Sequence, residues 1–296
     1  MTPPVSVIIT AFREAETVGK AIDAFLEQLP EEGEILVVCP DPETTLVVDG
    51  YAAETFPVRH VGDPQRGKPT AVNAGLEAAR KEIVVLSDGD VVVDSSSLES
   101  LLSLFHHREV GAVTGRPVSV NARDTLLGYW SHLLTDTIHH MRLVRDRKGQ
   151  FLLCSGYLFA FRKMLVDRVP EDALAEDAVI SHRVAQAGYR NRYAPQARVY
   201  VRYPTTYGDW LRQKVRSAGG YAQKYVRESP FRMRSAWLEL KTGTRMALQY
   251  PQNAREVLWT LLLFVARLHL WLLVLIKVRI LRRPLGALWQ RVESTK

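Results

Sequence analysis

The segment VVLSDGDVVVD, residues 84–94, carries a run of β-branched and apolar residues into two aspartates, Asp88 and Asp90. Residues of this kind fit a buried strand. The two acids come where that strand would end, one on each side of a glycine. A solvated Asp-Gly turn and a ligand site explain the pattern equally well. The rest of the chain has to decide between them.

Short apolar runs alternate with helical patterns through the first half of the chain. Uninterrupted Val and Ile residues indicate strands buried on both faces, as in a parallel sheet covered by helices. The sequence therefore predicts an α/β fold with a mostly parallel sheet and helices on both faces. The expected strands are VSVIIT (5–10), EILVVC (34–39), VRHV (58–61), EIVVLS (82–87), GAVTG (111–115) and FLLCSGYLFAFR (151–162). The expected helices are EAETVGKAIDAFLEQL (14–29), PTAVNAGLEAAR (69–80) and AEDAVISHRVAQAGY (175–189).

Four polar clusters follow four of these strands directly. Because the carboxyl ends of parallel strands meet at one edge of a sheet, where open α/β sheets bind their ligands, we expect the clusters to converge. The sequence therefore predicts one site built from distant segments. The clusters are TAFRE (10–14), CPDPE (39–43), GDPQRGK (62–68) and SDGD (87–90).

The chemistry of these clusters suits a nucleotide diphosphate. Two carboxylates one residue apart can bind a hard divalent cation, and Mg²⁺ or Mn²⁺ commonly bridges diphosphate oxygens. We expect Asp88 and Asp90 to hold such a cation, which would offset the charge on a departing diphosphate. Asp41, one strand earlier, would meet a base or ribose, and Lys68 would add positive charge near the phosphates. A solvated turn and a solvated loop lysine are the alternatives.

Composition limits the class of partner. The chain has 296 residues, a formal net charge of +7 and a pI near 9.4, which favours an anionic partner such as a nucleotide, nucleic acid or an acidic lipid surface. Cys39 and Cys154 lie among apolar residues and are expected to be core thiols in a reducing compartment. The first residues lack the basic start and long apolar middle of a signal peptide, so we expect the amino-terminal domain in the cytoplasm.

Residues 257–276, VLWTLLLFVARLHLWLLVLI, are apolar over about the length that crosses a hydrocarbon core. Only Arg267 and His269 interrupt the segment. Because a soluble helix usually has a polar face, we expect membrane association, with a buried core helix as the alternative.

Two further segments could meet a membrane. Residues 124–145 place Tyr129 and Trp130 among apolar residues at helical spacing, which predicts a helix in the bilayer interface. The segment YRNRYAPQARVYVRYP, residues 189–204, alternates arginines with aromatic residues. That pattern can bind nucleic acid, but it also suits an edge strand near anionic headgroups or a diphosphate, which the downstream apolar segment favours.

Several segments, in this order, resemble family 2 of the inverting, nucleotide-sugar-dependent glycosyltransferases over roughly residues 4–220. The chain looks like the membrane-associated branch of cellulose synthases, hyaluronan synthases and archaeal or bacterial polyprenyl-linked glycosyltransferases. The resemblance implies a Rossmann-like GT-A fold with a small C-terminal α-helical membrane-associated region. The matching segments are VSVIITAFREAETVGKAI (5–22), RGKPTAVNAGLEAA (66–79), LSDGDVVVD (86–94), CSGYLFAFRK (154–163), LAEDAVISHRVAQAGYR (174–190) and QKVRS (213–217).

The resemblance also implies roles for residues of the reaction centre. The family's D-x-D motif falls on Asp88 and Asp90, with Asp90 the more direct metal ligand. Its T-E-D box reads Ala175-Glu176-Asp177, which makes Asp177 the catalytic base. Asp177 would lie near a helix start, where the helix dipole is expected to depress its pKa.

The family's Q-x-x-R-W box, which cradles the donor diphosphate, implies that Gln213 and Arg216 bind the donor. Ser217 stands where polymer synthases have a Trp that helps to form the acceptor site, which argues against polymer synthesis. The FLLCSGY loop, residues 151–157, resembles a loop at the acceptor end. The other expected donor contacts are Ala11, Glu14, Asp41, Lys68 and Asp88.

We therefore expect a catalytic domain over residues 1–228 and a membrane-associated helical region over 229–296. The expected activity moves one sugar, mannose from GDP-mannose, to a dolichyl- or polyprenyl-phosphate-linked acceptor in N-glycan biosynthesis. The protein would lie on the cell membrane, with its catalytic domain on the cytoplasmic side, and bind no nucleic acid. The alternatives are a UDP-sugar-dependent polysaccharide synthase, a polyprenyl-phosphate hexosyl synthase, and a non-catalytic membrane-bound module for nucleotide sugars or nucleic acid.

Overall fold

A computed structural model of the chain describes residues 3–54, 56–220, 223–231, 233, 243–276 and 293–295. The strands are β1 (Val5–Thr10), β2 (Glu34–Cys39), β3 (Val58–Gly62), β4 (Ile83–Asp88), β5 (Val92–Val93), β6 (Val110–Ser119), β7 (Leu158–Arg162) and β8 (Arg190–Val201). The helices are α1 (Val18–Leu26), α2 (Pro42–Ala53), α3 (Lys68–Ala78), α4 (Ser97–Leu102), α5 (Leu126–Arg147), α6 (Glu176–Gln186), α7 (Tyr207–Gly220) and α8 (Lys224–Arg227). A short helix at Thr244–Gln249 and a long one at Ala254–Val274, here called the apolar helix, follow.

The strands of the described residues form one sheet in the order β3-β2-β1-β4-β7-β6-β8-β5. The first four are parallel to one another. β7 runs against both β4 and β6, β6 and β8 are parallel, and β5 runs against β8. The sheet is therefore mixed, and its parallel part is the half that the Val and Ile runs of the sequence predict.

Helices cover both faces of the sheet, as expected. Alternate residues of β1 show why, because Val7 and Ile9 pack into one apolar core while Ile8 packs into the other. The first core takes side chains from α1, α2 and α4, and the second takes side chains from α3 and α6. A strand buried on both sides needs apolar residues at every position, which is the pattern of VSVIIT.

Two segments differ from the sequence-based expectation. In the segment 151–162 only Leu158–Arg162 forms a strand, because backbone N–H groups of the preceding loop bond to side chains instead of a neighbouring strand. The segment 189–204 forms β8, which pairs with β6 on one side and, at its end, with β5 on the other. It is therefore not an edge strand throughout.

The apolar helix packs on α5 and α7 through its inner face. Trp130 Nε1 donates to the carbonyl of Trp259 at 2.7 Å, and the hydroxyls of Tyr129 and Thr260 lie 2.7 Å apart. Both aromatic rings of α5 are buried. They therefore lie inside the protein, whereas the sequence had predicted the segment 124–145 to lie in the bilayer interface. These two rings join the helices because each brings a polar group that needs a buried partner.

The outer face of the apolar helix consists of exposed apolar side chains. Val265 is 65% exposed and Leu268 is 72% exposed. Among the described residues, this is the one helix long and apolar enough to cross a membrane, and its mean hydropathy is 2.1. The predicted segment 257–276 lies within the described residues, whereas residues 232, 234–242, 277–292 and 296 of the expected region 229–296 lie outside them. The other exposed members of this face are Val257, Leu258, Leu261, Leu262, Trp271 and Leu272.

Candidate active site

A cavity of about 1700 Å³ opens where β1 and β4 end, and it brings together nearly all the site residues that the sequence predicts. Segments from both ends of the described chain line it, so the expectation of one shared site holds for these residues. The predicted residues in its wall are Ala11, Glu14, Lys68, Asp88, Asp90, Asp177, Gln213 and Arg216.

Lys68 joins two carboxylates at the centre of the cavity. Its ammonium nitrogen lies 2.6 Å from Asp88 Oδ1 and 2.9 Å from Glu176 Oε1. Burial by itself would lower the pKa of Lys68, but the two carboxylates raise it far above its usual range. Lys68 therefore stays charged, and it connects the end of β4 to the start of α6.

The positions of Lys68 and Asp88 follow from the local backbone. Asp88 is the last residue of β4 and pairs in register with Thr10, whose hydroxyl donates to Asp88 Oδ1 at 3.2 Å. Lys68 opens α3 directly after Gly67, which has a φ of +106°. Since that conformation disfavours any side chain, a glycine is needed to aim Lys68 into the cavity.

Gly89 brings the D-G-D segment against the loop that follows β1. A Cβ at this position would lie 2.6 Å from Glu14 Oε2 and 2.8 Å from the Cβ of Ala11. The Glu14 carboxylate could move away but the Cβ of Ala11 could not, so a side chain here would push the two segments apart. This packing accounts for the placement of Ala11 and Glu14 beside Asp88 and Asp90.

Asp177 is held at the start of α6 by two backbone N–H groups. Gly156 donates to its Oδ2 at 2.9 Å, and Ala178 donates to its Oδ1 at 2.8 Å. Burial and the negative charge of Glu176 nevertheless raise the pKa of Asp177 to about 6. The sequence predicted a depressed pKa from the helix dipole, and this prediction is wrong because burial and the adjacent carboxylate have the larger effect.

Glu176 and Asp177 are adjacent in sequence but differ in their surroundings. Burial would raise the pKa of Glu176, yet the charge and hydrogen bond of Lys68 hold it below its usual range. Glu176 is therefore ionised and fixed by Lys68, whereas Asp177 titrates close to neutrality. Two carboxyl groups whose pKa values are driven apart in this way can take different roles in one reaction.

α7 carries Gln213 and Arg216 into the same cavity. Gln213 Nε2 donates to the hydroxyl of Tyr157 at 3.4 Å, and its Oε1 is buried without a hydrogen-bond partner in the described part of the chain. The charge of Arg216 helps to lower the pKa of Glu176, which locates the guanidinium on the acidic side of the cavity. A Cβ on Gly220 would lie 2.7 Å from that of Ala175, so α7 approaches the start of α6 very closely.

Asp41 does not line this cavity. Its Oδ1 accepts from the N–H and the hydroxyl of Thr44, and its Oδ2 accepts from the N–H of Arg13. Burial would raise the pKa of Asp41, but these hydrogen bonds lower it. Asp41 therefore caps α2 and fixes the loop after β1, and its expected contact with a base or ribose stays a prediction.

Asp63 and Tyr157 also line the cavity, although no role was predicted for either from the sequence. Asp63 follows β3, within the GDPQRGK cluster, and burial raises its pKa. Tyr157 comes directly after the loop that bonds to Asp177, and its hydroxyl accepts from Gln213. The strand-end rule had placed the segment of Asp63 at the site, and the resemblance had placed the loop that ends at Tyr157 at the acceptor end, but neither residue had been singled out.

The acidic residues suit a divalent cation that is shared with a ligand. Within the described residues, no cluster of three or more His, Cys, Asp or Glu side chains could enclose a metal ion alone. Asp88 and Asp90 provide oxygen ligands only, which Mg²⁺ and Mn²⁺ prefer, and the remaining positions would fall to phosphate oxygens and water. The Lys68 ammonium against Asp88 shows that this carboxylate already accommodates a positive charge.

Both cysteines are buried free thiols, as expected. Burial raises the pKa of Cys154 to about 12, which keeps it protonated and unreactive. The thiol thus contributes to the packing of the loop between Leu153 and Gly156 in its neutral form.

Residues 3–220 match the model of the family described as "Glycosyltransferase like family 2". Among curated proteins, the poly-beta-1,6-N-acetyl-D-glucosamine synthase of Staphylococcus aureus (strain COL) is 26% identical over 241 residues, 76% of this chain and 56% of that protein. The corresponding synthase of Staphylococcus epidermidis is 25% identical over 232 residues, with the same coverage. The chain thus spans little more than half the length of the curated relatives that it matches.

Two solved structures share the fold. The mannosyltransferase PcManGT from Pyrobaculum calidifontis, in complex with GDP-Man and Mn²⁺, has a TM-score of 0.64 at 21% identity and covers 97% of this chain and 86% of its own. Residues 1–349 of S. aureus TarS, in complex with UDP-GlcNAc, have a TM-score of 0.53 at 15% identity and cover 84% of this chain and 73% of their own. At these identities the likeness concerns the fold.

Proposed function

Because the chain belongs to glycosyltransferase-like family 2 and has the GT-A fold, we propose that it is an inverting, metal-dependent enzyme that transfers a single sugar. The donor would be a nucleotide diphosphate sugar and the acceptor a polyprenyl- or dolichyl-phosphate-linked molecule. The observation that carries this proposal is the shared cavity, which joins the acidic pair at the end of β4, the cations of α3 and α7, and Asp177.

The donor diphosphate would lie between Asp88, Asp90, Lys68 and Arg216. Asp88 and Asp90 would hold Mn²⁺ or Mg²⁺, and when bound this cation would neutralise charge on the diphosphate. Lys68 is already ordered by Asp88 and Glu176, and Arg216 lies on the same side. Cations fixed before the ligand arrives stabilise developing charge without the cost of reorganisation.

Asp177 would accept the proton of an attacking hydroxyl. Its two backbone hydrogen bonds fix the orientation of the carboxylate, and each oxygen keeps a further lone pair for the acceptor. With a pKa of about 6, Asp177 is ionised at neutral pH and still basic enough to take a proton. The acceptor oxygen would attack C1 of the sugar from the face opposite the diphosphate, so the configuration inverts.

We propose GDP-mannose as the donor. The support is the likeness to a mannosyltransferase solved with GDP-Man and Mn²⁺, which covers 97% of this chain. A role in N-glycan biosynthesis stays a prediction from the resemblance, as do the boundary near residue 228, the cytoplasmic orientation and the absence of nucleic acid among the partners. The exposed apolar side of the apolar helix supports attachment to the cell membrane.

A UDP-sugar-dependent polysaccharide synthase is the second candidate. The sequence relatives favour it, since they are poly-beta-1,6-N-acetyl-D-glucosamine synthases at 25–26% identity. Ser217 argues for the first candidate, because it replaces the Trp that the family's polymer synthases use at the acceptor site.

The test is a donor panel with the full-length protein. GDP-mannose, UDP-GlcNAc and UDP-glucose are each incubated with a short polyprenyl-phosphate-linked sugar and Mn²⁺ or Mg²⁺, and the products are read by mass spectrometry. We expect one added hexose from GDP-mannose and no product with EDTA. A ladder of products from a UDP-sugar would establish the polymer synthase instead. If no donor is turned over although donors still bind, the protein is a binding module and not an enzyme.

A further inference from the structure

A second polar group lines the cavity on the side of α5. We call the side chains of Arg116, His139, Arg142 and Tyr193 the basic cluster; they come from β6, α5 and β8. His139 Nδ1 lies 2.6 Å from the hydroxyl of Tyr193, and the Arg142 guanidinium lies 5.9 Å from the centre of the Tyr193 ring. The mechanism above assigns these side chains no role.

The basic cluster is a favourable environment for an anion. Arg142 is only 6% exposed although it lines the cavity. Burial, followed by the charge of Arg116, lowers the pKa of His139 to about 4, so the imidazole is neutral and the two guanidinium groups carry the charge. Among the residues that the structure describes, Arg116 makes only a long ion pair, 3.7 Å from Oδ1 of Asp136. The other oxygen of Asp136 accepts from the hydroxyl of Tyr250. A phosphate that reached the two arginines would gain charge-assisted hydrogen bonds at a site removed from water.

A short loop connects the basic cluster to the reaction centre. Arg142 Nη2 donates to the carbonyl of Leu153 at 3.2 Å, and three residues later the N–H of Gly156 donates to Asp177. The charges of Arg142 and Asp177 both act on the Cys154 thiol between them. The basic cluster therefore contacts the same loop as Asp177, the loop that the resemblance assigns to the acceptor end.

An apolar wall continues from the basic cluster to the outside of the protein. Leu268 and Trp271 line the cavity and are also 72% and 43% exposed, so the wall runs onto the outer face of the apolar helix. A ligand that fits this surface has an anionic head and a hydrocarbon tail. The other apolar residues of the wall are Leu133, Leu134, Ile138 and Met141 of α5, and Leu263 and Phe264 of the apolar helix.

We propose that the basic cluster binds the phosphate of a lipid phosphate, whose hydrocarbon chain lies between α5 and the apolar helix. The inference rests on the proposed function and adds to it the site of the acceptor. A lipid phosphate is favoured over a water-soluble phosphate because the cations and the apolar wall belong to one continuous cavity. Bound in this way, the acceptor would enter from the membrane side and reach Asp177.

The test measures the binding of farnesyl phosphate to the full chain by calorimetry, with farnesol and inorganic phosphate as separate probes. We expect farnesyl phosphate to bind more than tenfold tighter than either. Arg116→Gln should weaken it about tenfold, since a hydrogen bond to a charged group is lost. Arg142→Lys should weaken the binding of farnesyl phosphate several-fold, because the charge stays but the planar guanidinium that can donate two parallel hydrogen bonds is lost. Arg147→Gln is the matched control, because this arginine lies on α5, is exposed, and is outside the cavity wall.

Donor turnover, measured on the same proteins, keeps the two proposals apart. We expect Arg116→Gln to lose affinity for farnesyl phosphate, whereas the control Arg147→Gln should keep both this affinity and donor hydrolysis at the level of the unchanged protein. Equal affinity of Arg116→Gln, Arg142→Lys and Arg147→Gln for farnesyl phosphate would overturn the inference, as would inorganic phosphate binding as tightly as farnesyl phosphate. Loss of all donor turnover in the unchanged protein would overturn the proposed function, and the binding data would still decide the lipid site.

Discussion

Glu176 and Asp177 show how one residue step changes the chemistry of a carboxyl group. The ammonium nitrogen of Lys68 lies 2.9 Å from Oε1 of Glu176 and compensates its negative charge. Among the residues described, Asp177 accepts hydrogen bonds only from neutral N–H groups and is repelled by the charge of Glu176. The pKa of the first falls and that of the second rises to about 6. The same helix start therefore presents a fixed negative charge and a group that can take a proton.

Replacing Asp177 by Asn removes the proton acceptor but keeps the shape. Gly156 and Ala178 lose a charged partner, and the side-chain oxygen can still accept one of their hydrogen bonds. We expect transfer to fall by about 10²–10⁴-fold. Donor affinity, measured by calorimetry, should change little because the proposed donor site is at Lys68 and Arg216. Asp167→Asn, at an exposed acid outside the cavity, is the control; equal activity of the two variants would exclude Asp177 as the base.

The pH dependence of kcat/KM reports the same group. The base acts as the carboxylate, and the raised pKa of Asp177 means that it becomes protonated as the pH falls through about 6. We expect the rate to be level near neutrality and to fall about tenfold for each pH unit below 6. A rate that stays level down to pH 4.5 in a stable protein would contradict this assignment.

At the scale of elements, the apolar helix has two distinct sides. Glu256 and Thr260 are buried on its inner side, where Glu256 lies 3.3 Å from Arg123 and Thr260 meets Tyr129. Its outer side carries exposed aliphatic residues instead. A contiguous apolar surface of this kind on a soluble domain marks a membrane or protein contact.

Charging the outer side should release the protein from membranes. Val265→Asp with Leu268→Asp places two carboxylates where the side chains are 65% and 72% exposed, so the fold should persist. Each aliphatic side chain buried in lipid contributes about 1.5–3 kcal/mol, so we expect vesicle binding to fall more than a hundredfold in a flotation assay. Leu46→Asp on α2, at a leucine that is 75% exposed, is the control and should float normally. Unchanged flotation of the double variant would assign the apolar side to another partner.

At the scale of the whole molecule, the cavity connects the parallel half of the sheet to the helices that follow β7. Lys68 and Asp88 come from the first half, whereas Glu176, Asp177 and Arg216 come from the second. Their contacts cross the molecule, so a ligand held between them should stabilise the domain as a unit.

Donor and metal together should therefore raise the melting temperature. A nucleotide sugar at a hundredfold excess over its Kd adds about 2.7 kcal/mol to the free energy of unfolding, which corresponds to roughly 5–10 °C for a domain of this size. We expect EDTA to abolish most of this increase, and Asp90→Ala to do the same with Mn²⁺ present. An increase that persists under both conditions would show that the donor binds without a cation.

Much of this arrangement follows from local pattern in the sequence. Uninterrupted apolar strands such as VSVIIT, with polar residues after each, determined the parallel half of the sheet and the edge at which Asp88, Lys68 and Ala11 meet. Residues 257–276 likewise indicated an apolar helix. These features depend on periodicity and on strand ends, which a single chain segment displays by itself.

Only the tertiary structure decided what depends on distant neighbours. Arg13 and Thr44 hydrogen-bond to the carboxylate of Asp41, and Tyr129 and Trp130 turn inward because the apolar helix supplies their partners. The reversed β7, the raised pKa of Asp177 and the basic cluster likewise need residues that lie far apart in the chain. The physical reason is that burial, charge and hydrogen bonding depend on distances in space and not on how far apart two residues lie in the sequence.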